Sequence, residues 1–153
     1  MPGMRVGILS DTHGMLRPVV LERLRGCDIL LHAGDVGQLE ILETLKQIAP
    51  VQAVRGNTDY GTGLMDLPES IEGEIGGLPY GMIHQRDHIP DIWPRRHTLI
   101  VYGHSHRPEL EWRGKCLLLN PGAAGARRFH LPLTVAAVTV RDGRLIPEIL
   151  ALE

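Results

Sequence analysis

Carboxylate, imidazole and amide side chains recur in this chain in short polar clusters, each placed just after an apolar run. Asp11 and His13 stand in Ser10-Asp11-Thr12-His13-Gly14, Asp35 in Ala33-Gly34-Asp35, Asn57 in Arg55-Gly56-Asn57-Thr58-Asp59, His84 directly after Ile83, and His104 and His106 in Gly103-His104-Ser105-His106. Nitrogen and oxygen donors without a thiolate suit Mn, Fe, Ni, Co or Zn in a reactive site rather than a structural zinc held by cysteines. Seven such groups exceed the needs of one tetrahedral ion. A carboxylate shared between two cations is therefore expected, and cation pairs about 3.5–4 Å apart are the usual device for hydrolysing phosphate esters. The i, i+2 spacing of Asp11 with His13, and of His104 with His106, predicts that each pair lies on one side of an extended segment and serves one site. Glycines precede Asp35, Asn57 and His104, where a residue without a Cβ lets the backbone come close to a ligand.

The elements that must position these groups follow from periodicity. Residues 4–9 form an apolar run rich in β-formers, and residues 18–25 read as a helix with Pro18 in its first turn and Gly26 just past its end. A strand over 28–32 precedes a second helix over 36–48, in which Leu39, Leu42, Leu45 and Ile48 recur and which Pro50 stops. A third strand covers 51–54. This β-α-β-α-β order predicts a parallel sheet flanked by helices, whose ligand site gathers outside the carboxyl ends of its strands. In the second half, turn pairs at Gly76-Gly77, Arg113-Gly114 and Asp142-Gly143 predict mostly antiparallel hairpins, with strands over 80–83, 98–102, 115–119, 133–140 and 144–150.

Length and composition narrow the classes. A chain of 153 residues with 43% hydrophobic and 22% charged residues is expected to form one domain, residues 1–153, with a sizeable core. Sixteen Lys and Arg against eighteen Asp and Glu leave a formal charge of -2, so no basic field points to a nucleic-acid polymer or a membrane surface. Positive charge for a phosphate would have to come from bound cations. Cys27 and Cys116 form no C-x-x-C pair and read as buried free thiols. The amino terminus has too short an apolar run for a signal peptide and no stretch reaches a membrane span, so a cytoplasmic protein is expected.

Taken in order, the motifs D-x-H (Asp11-Thr12-His13), G-D (Gly34-Asp35), G-N (Gly56-Asn57), a lone histidine (His84) and G-H-x-H (Gly103-His104-Ser105-His106) resemble those of the calcineurin-like metallophosphoesterases, in particular the small bacterial and archaeal phosphodiesterase branch. The resemblance spans nearly the whole chain. It implies an α/β fold, a four-layer α/β/β/α sandwich of two mixed β-sheets flanked by helices. It also implies an enzyme that hydrolyses small phosphate esters, phosphodiesters first, with a hydroxide activated by two divalent metal ions. Manganese is the first expectation for these, with Fe, Ni, Co or Zn as alternatives. One metal would be held by Asp11, His13, Asp35 and His106 and the other by Asp35, Asn57, His84 and His104, with Asp35 as the bridge and Asp35, Asn57 and His84 as the catalytic residues. The alternative is a protein-interaction scaffold of the same fold without turnover, as a retromer subunit of this fold has become. Assembly into a homo-oligomer is left open.

Departures from the family pattern shape further expectations. Many relatives carry a histidine directly after the G-N asparagine, where it helps protonate the leaving group; here Thr58 and Asp59 follow, which favours good leaving groups and makes Asp59 and His88 the first candidates for another donor. Gln85-Arg86 follow His84 where Gly-His is common, and the segment from His84 to Thr98 is short, with Pro90 and Pro94 interrupting any helix. His88 is the reserve for His84. His32 reads as a buried supporting residue, His97 and His130 as surface residues, and Asn120-Pro121-Gly122 as a turn near the rim. Arg55, Arg86, Arg127 and Arg128 could meet a phosphate, but no role is assigned to them.

Overall fold

The computed structural model describes residues 3–61, 63–125, 127–128 and 130–153. Apolar runs become strands β1 (Met4–Leu9), β2 (Ile29–His32) and β3 (Val51–Ala53), separated by helices α1 (Pro18–Leu24) and α2 (Leu39–Leu45). β4 (Ser70–Ile75) and β5 (Leu78–Ile83) form a hairpin, followed by a 3₁₀ turn at Arg86–His88, helix α3 (Trp93–Arg96) and β6 (Leu99–Val101). β7 (Glu109–Arg113), β8 (Cys116–Asn120), β9 (Thr134–Arg141) and β10 (Arg144–Ala151) complete the chain.

The strands make two five-stranded mixed sheets, one in the order β10-β9-β1-β2-β3 and the other β4-β5-β6-β8-β7. In the first, β1, β2 and β3 run parallel, as the β-α-β-α-β order predicts, and the β9–β10 hairpin closes the far side with β9 antiparallel to β1. The second departs from the expected run of hairpins. Its β4–β5 and β7–β8 pairs are hairpins, but β5, β6 and β8 lie parallel at its centre. The connections explain this. α3 carries the chain back between β5 and β6, and the loop and β7 carry it back between β6 and β8, so each strand re-enters in the same direction. The carboxyl ends of β5 and β6 therefore point the same way.

Alternation along the strands sets the layers. Val6, Ile8, Leu31, Val138 and Val140 of the first sheet interdigitate with Tyr80, Met82, Leu99, Val101, Leu117 and Leu119 of the second. On the outer face of the first sheet Leu30 and Val135 pack against Val20 and Leu24 of α1 and Ile41, Leu42 and Leu45 of α2. Gly7 lets α1 pack closely there, as a Cβ would meet the side-chain ends of Leu30, Leu24 and Cys27 at 2.7 to 3.0 Å and push them aside. On the outer face of the second sheet Trp93 of α3 covers Ile100, Tyr102, Cys116 and Leu118. The result is the α/β/β/α sandwich. Both cysteines are free and buried, and no helix among the described residues is long and apolar enough to cross a membrane.

Three local expectations are corrected. α2 begins at Leu39 rather than Val36, because Gly37 takes a φ of 92° and the backbone N–H groups of Val36 and Gly37 are engaged by Asp59. Pro94 does not prevent a helix; it sits in the first turn of α3, where its missing N–H costs nothing. His97 is buried rather than at the surface, since it ends α3 against the edge of the Trp93 ring and its Nε2 donates to Glu72 at 2.7 Å. His130 is exposed.

The two tryptophans provide a test of the outer layer, with Trp93 4% exposed and Trp112 of the edge strand β7 52% exposed. Trp93→Ala should lower unfolding free energy by about 3–5 kcal/mol, whereas Trp112→Ala should change it by no more than about 0.5 kcal/mol. Urea denaturation of the two variants checks this.

Candidate metal centre

The carboxyl ends of β1, β2, β3, β5 and β6 meet at one edge of the sandwich. Asp11 N donates to Gly34 O at 3.0 Å across the first sheet, and Gly103 N donates to His84 O at 2.9 Å across the second. The sheets are joined here by His84 Nδ1, which donates to Ala33 O at 2.8 Å, and by His104 N, which donates to Asp11 Oδ2 at 3.0 Å. This meeting gathers two groups of donor atoms suited to a metal ion: Asp11, His13 and His106, and Asp35, His84 and His104.

Hydrogen bonds decide which atoms face inward. Asp11 Oδ2 accepts from Ser10 Oγ at 2.8 Å as well as from His104 N, so Oδ1 is left to face His13 Nε2 and His106 Nε2, each at 3.5 Å, and His84 Nε2 at 4.0 Å. Asp35 Oδ1 accepts from Thr58 N at 3.0 Å, which turns Oδ2 toward His84 Nε2 at 3.2 Å and His13 Nε2 at 3.6 Å. Because a carbonyl can only accept, His84 carries its proton on Nδ1 and presents the Nε2 lone pair to the site. His104 Nδ1 lies 3.2 Å from Asn57 Oδ1.

Asp11 Oδ1, His13 Nε2, His84 Nε2 and His106 Nδ1 are buried without a hydrogen-bond partner. The first three of these lie together, within 4.0 Å of Asp11 Oδ1, and orphaned polar atoms so grouped are costly unless another group satisfies them. Carboxylate-to-imidazole separations of 3.5 Å are what two ligands show when each is about 2.1 Å from a common ion. The residues present therefore fit a pair of divalent cations.

The backbone is bent to achieve this. Asp11, His13, Asp35, His104 and His106 have φ angles of 54°, 48°, 56°, 73° and 65°. Left-handed backbone at non-glycine residues costs on the order of 1–3 kcal/mol each, and strain of this kind collects at functional sites. The expectation of extended i, i+2 pairs is thus corrected. Asp11 and His13 do share a cluster, but His104 and His106, with the same left-handed backbone, divide between the two. Gly56 lies directly against Asp35, since a Cβ there would collide with the backbone nitrogen and carboxylate of that residue.

Electrostatics follow from this crowding. Burial works against ionising Asp11, but His106, His13, His84 and Ser10 outweigh it and hold the carboxyl far below its ordinary range. Burial likewise opposes ionisation of Asp35, and His84 with Thr58 still lowers its pKa. The Asp11 carboxylate beside it raises the pKa of His13 against the effect of burial, and Asp35 and Asp11 raise that of His84 although burial lowers it.

Several supporting residues are not legible from motif spacing. Asp59 is 1% exposed and its carboxylate accepts from Val36 N at 3.2 Å, Gly37 N at 3.1 Å and Gly56 N at 2.8 Å, tying together the loops that carry Asp35 and Asn57. Its burial as an acceptor removes it as a proton donor. His32 is the buried support expected of it. Its Nδ1 accepts from Gly34 N at 3.1 Å and its Nε2 donates to Thr12 Oγ1 at 3.0 Å, while Thr12 donates to Val36 O. Burial lowers its pKa to about 4, so the ring is neutral. Asn120 is more than a rim turn. Its Nδ2 donates to Gly103 O at 3.2 Å and Ser105 Oγ at 3.0 Å, bracing the loop of His104 and His106. His88 is exposed and lies outside both clusters.

Comparison with known proteins agrees with this geometry. The model of the calcineurin-like phosphoesterase superfamily domain matches residues 4–143, and the chain belongs to that superfamily. A probable metallophosphoesterase of Methanocaldococcus jannaschii is 32% identical, over 94% of this chain and 81% of its own. Phosphodiesterase YfcE of Escherichia coli K12 is 29% identical, over 78% of this chain and 79% of its own. The crystal structure of a predicted phosphoesterase from Streptococcus pneumoniae TIGR4 is similar with a TM-score of 0.77 and 26% identity, covering 99% of this chain and 91% of that one. The family and the two intact Asp/His clusters support a metal-dependent hydrolase.

Two outcomes test the centre. Gly56→Ala should displace Asp35 and lower metal affinity about 10–100-fold, measured by calorimetric titration. Metal affinity should also rise with pH. The raised pKa values of His13 and His84 mean that protons occupy these rings at and above their ordinary range in the metal-free protein, and metal must displace them. Asp11 and Asp35 are already ionised there and add nothing. Affinity should therefore increase about tenfold per pH unit for each displaced proton between pH 6 and 8, with proton release visible as a buffer-dependent binding enthalpy.

Proposed function

We propose that the chain hydrolyses phosphodiesters with two divalent ions, one held by Asp11, His13, Asp35 and His106 and the other by Asp35, Asn57, His84 and His104. The observation that carries this reading is Asp35 Oδ2, which faces His84 Nε2 at 3.2 Å and His13 Nε2 at 3.6 Å and so lies where one oxygen can serve both clusters. Manganese is the first candidate by donor type, with Fe, Ni, Co and Zn compatible. When bound, the ions lower the pKa of water toward neutrality and neutralise charge on the phosphoryl oxygens.

The protein's own groups do the rest. Asp35 and His84 hold their inward atoms in place through Thr58 and Ala33, and the exposed Asn57 amide is available to a phosphoryl oxygen. A diester rather than a monoester is favoured on two grounds. Two cavities, of about 400 and 510 Å³, flank the Asp35, His84 and His104 cluster, the first opening at Asn57 and His84 and the second at His104 and Ser105, so each organic arm of a diester has a place. Three of the guanidiniums that could meet the second charge of a monoester are engaged elsewhere: Arg55 with Glu69 at 2.6 Å, Arg86 with Glu111 at 2.8 Å, and Arg127 with Glu153. The fourth, Arg128, acts on His13 of the other cluster rather than on the two cavities. YfcE, which resembles this chain, is itself named a phosphodiesterase.

Metal content measured together with hydrolysis of bis(4-nitrophenyl) phosphate tests the reading, after reconstitution with each metal in turn. Metal uptake without hydrolysis of any phosphodiester would establish the interaction scaffold instead. Asp35→Asn should lose metal and turnover while keeping its circular dichroism. His84→Ala should lose metal and at least about 10²-fold in rate, whereas His88→Ala should retain its full metal content; equal metal loss in both would overturn the ligand assignment.

A further inference from the structure

Among the carboxylates, guanidinium and imidazoles of the cavity that opens at Asn57 and His84, all but one are already committed. Arg55 donates to Glu69 at 2.6 Å and to Met65 O at 3.1 Å, so these two charged groups are engaged with each other. Asp59 accepts from three backbone N–H groups and has no proton to offer. His84 donates through Nδ1 to Ala33 and directs Nε2 at Asp35. His88 remains. It lines the same cavity from the 3₁₀ turn at Arg86–His88, is exposed, and has no side-chain hydrogen bond or ion pair among the described residues. Tyr60, 75% exposed, and Met65, 55% exposed, give the cavity an apolar wall with Ile83.

We propose that this cavity receives the departing alcohol of the ester and that His88 is the catalytic residue that protonates its oxygen. The inference rests on the phosphodiester reading. Thr58 stands where the sequence pattern leads one to look for a histidine, and its backbone N–H is spent on Asp35, so the donor comes instead from the facing wall. The apolar wall and the paired Arg55 and Glu69 suit an uncharged alcohol rather than a second phosphate. In the step, the oxygen of water bonds to phosphorus as the bond from phosphorus to the alcohol oxygen breaks. The His88 imidazolium gives its proton to that oxygen, releasing a neutral alcohol. The proton lost by water passes to solvent, from which His88 is protonated again. Esters of ordinary alcohols thereby become substrates, which replaces the sequence-based expectation that good leaving groups are favoured.

The experiment compares wild type, His88→Ala and His88→Gln, loaded with the same metal, on methyl aryl phosphates from 4-nitrophenyl to phenyl. For the phenyl ester kcat should fall about 10²–10⁴-fold in both variants, with KM unchanged. The 4-nitrophenyl ester should lose only a few-fold. The fall of kcat toward alkaline pH, where a general acid loses its proton, should disappear in both variants. In zinc-loaded wild type, phenylphosphonate should shift the His88 ring-proton resonances, a readout independent of turnover. An equal loss along the series, or an unmoved His88 resonance, overturns the role of His88 and leaves phosphodiester hydrolysis standing. A wild type that hydrolyses no member of the series removes both.

Discussion

Asp11 is a carboxylate with no exposure to solvent, lying where the two sheets touch. A buried charge of this kind is tolerable only if each oxygen is met by a donor or a cation. One oxygen is met from both sides of the sandwich, by the Ser10 hydroxyl beside it and by the His104 N–H from the second sheet. The other has no hydrogen-bond donor and is ringed by His13, His84 and His106. The position of the second sheet relative to the first is therefore coupled to the charge state of one side chain. The inter-sheet core of Val6, Ile8, Leu31, Met82, Val101 and Leu119 supplies the apolar burial that holds the two sheets in that relation.

Rigid support is the second requirement, because five site residues have left-handed backbone. Relaxation of any of them to ordinary geometry would swing its side chain out of the cluster. Asp59 prevents this in the loops after β2 and β3 by collecting the N–H groups of Val36, Gly37 and Gly56. The neutral His32 bridges the Gly34 backbone to Thr12, and Asn120 holds the loop after β6 through Gly103 and Ser105. These groups act through the backbone, and through it they determine where the ligating atoms lie.

Charge is the third. The chain is slightly acidic overall, and Arg55 and Arg86 beside the two flanking cavities are neutralised by glutamates. An anion approaching the centre therefore meets two carboxylates, offset in part by the Arg128 charge that acts on His13. Divalent cations reverse that sign locally. By the same arrangement proton and metal would compete for His13 and His84, as the carboxylates that favour one cation favour the other.

The apolar runs of β1 and β2, the period of α2 and the ordered motifs around Asp11, Asp35, Asn57, His84, His104 and His106 were all legible in the sequence, because periodicity and turn chemistry are local properties. So was the composition of the site, and with it the metal chemistry. The parallel centre of the second sheet was not, since the direction in which β6 and β8 re-enter depends on connections whose path is set by packing. Burial of His97 depends on Trp93 and Glu72, which meet it only after α3 docks. The left-handed backbone of Asp11, His13, His104 and His106, where spacing suggested extended pairs, depends on tertiary contacts, since no residue type outside glycine dictates such φ angles. Asp59 reads in sequence as a potential acid and becomes an acceptor only because folding surrounds it with three backbone N–H groups. Residue identity determined which chemistry was available, and tertiary structure decided which atoms were left without partners to perform it.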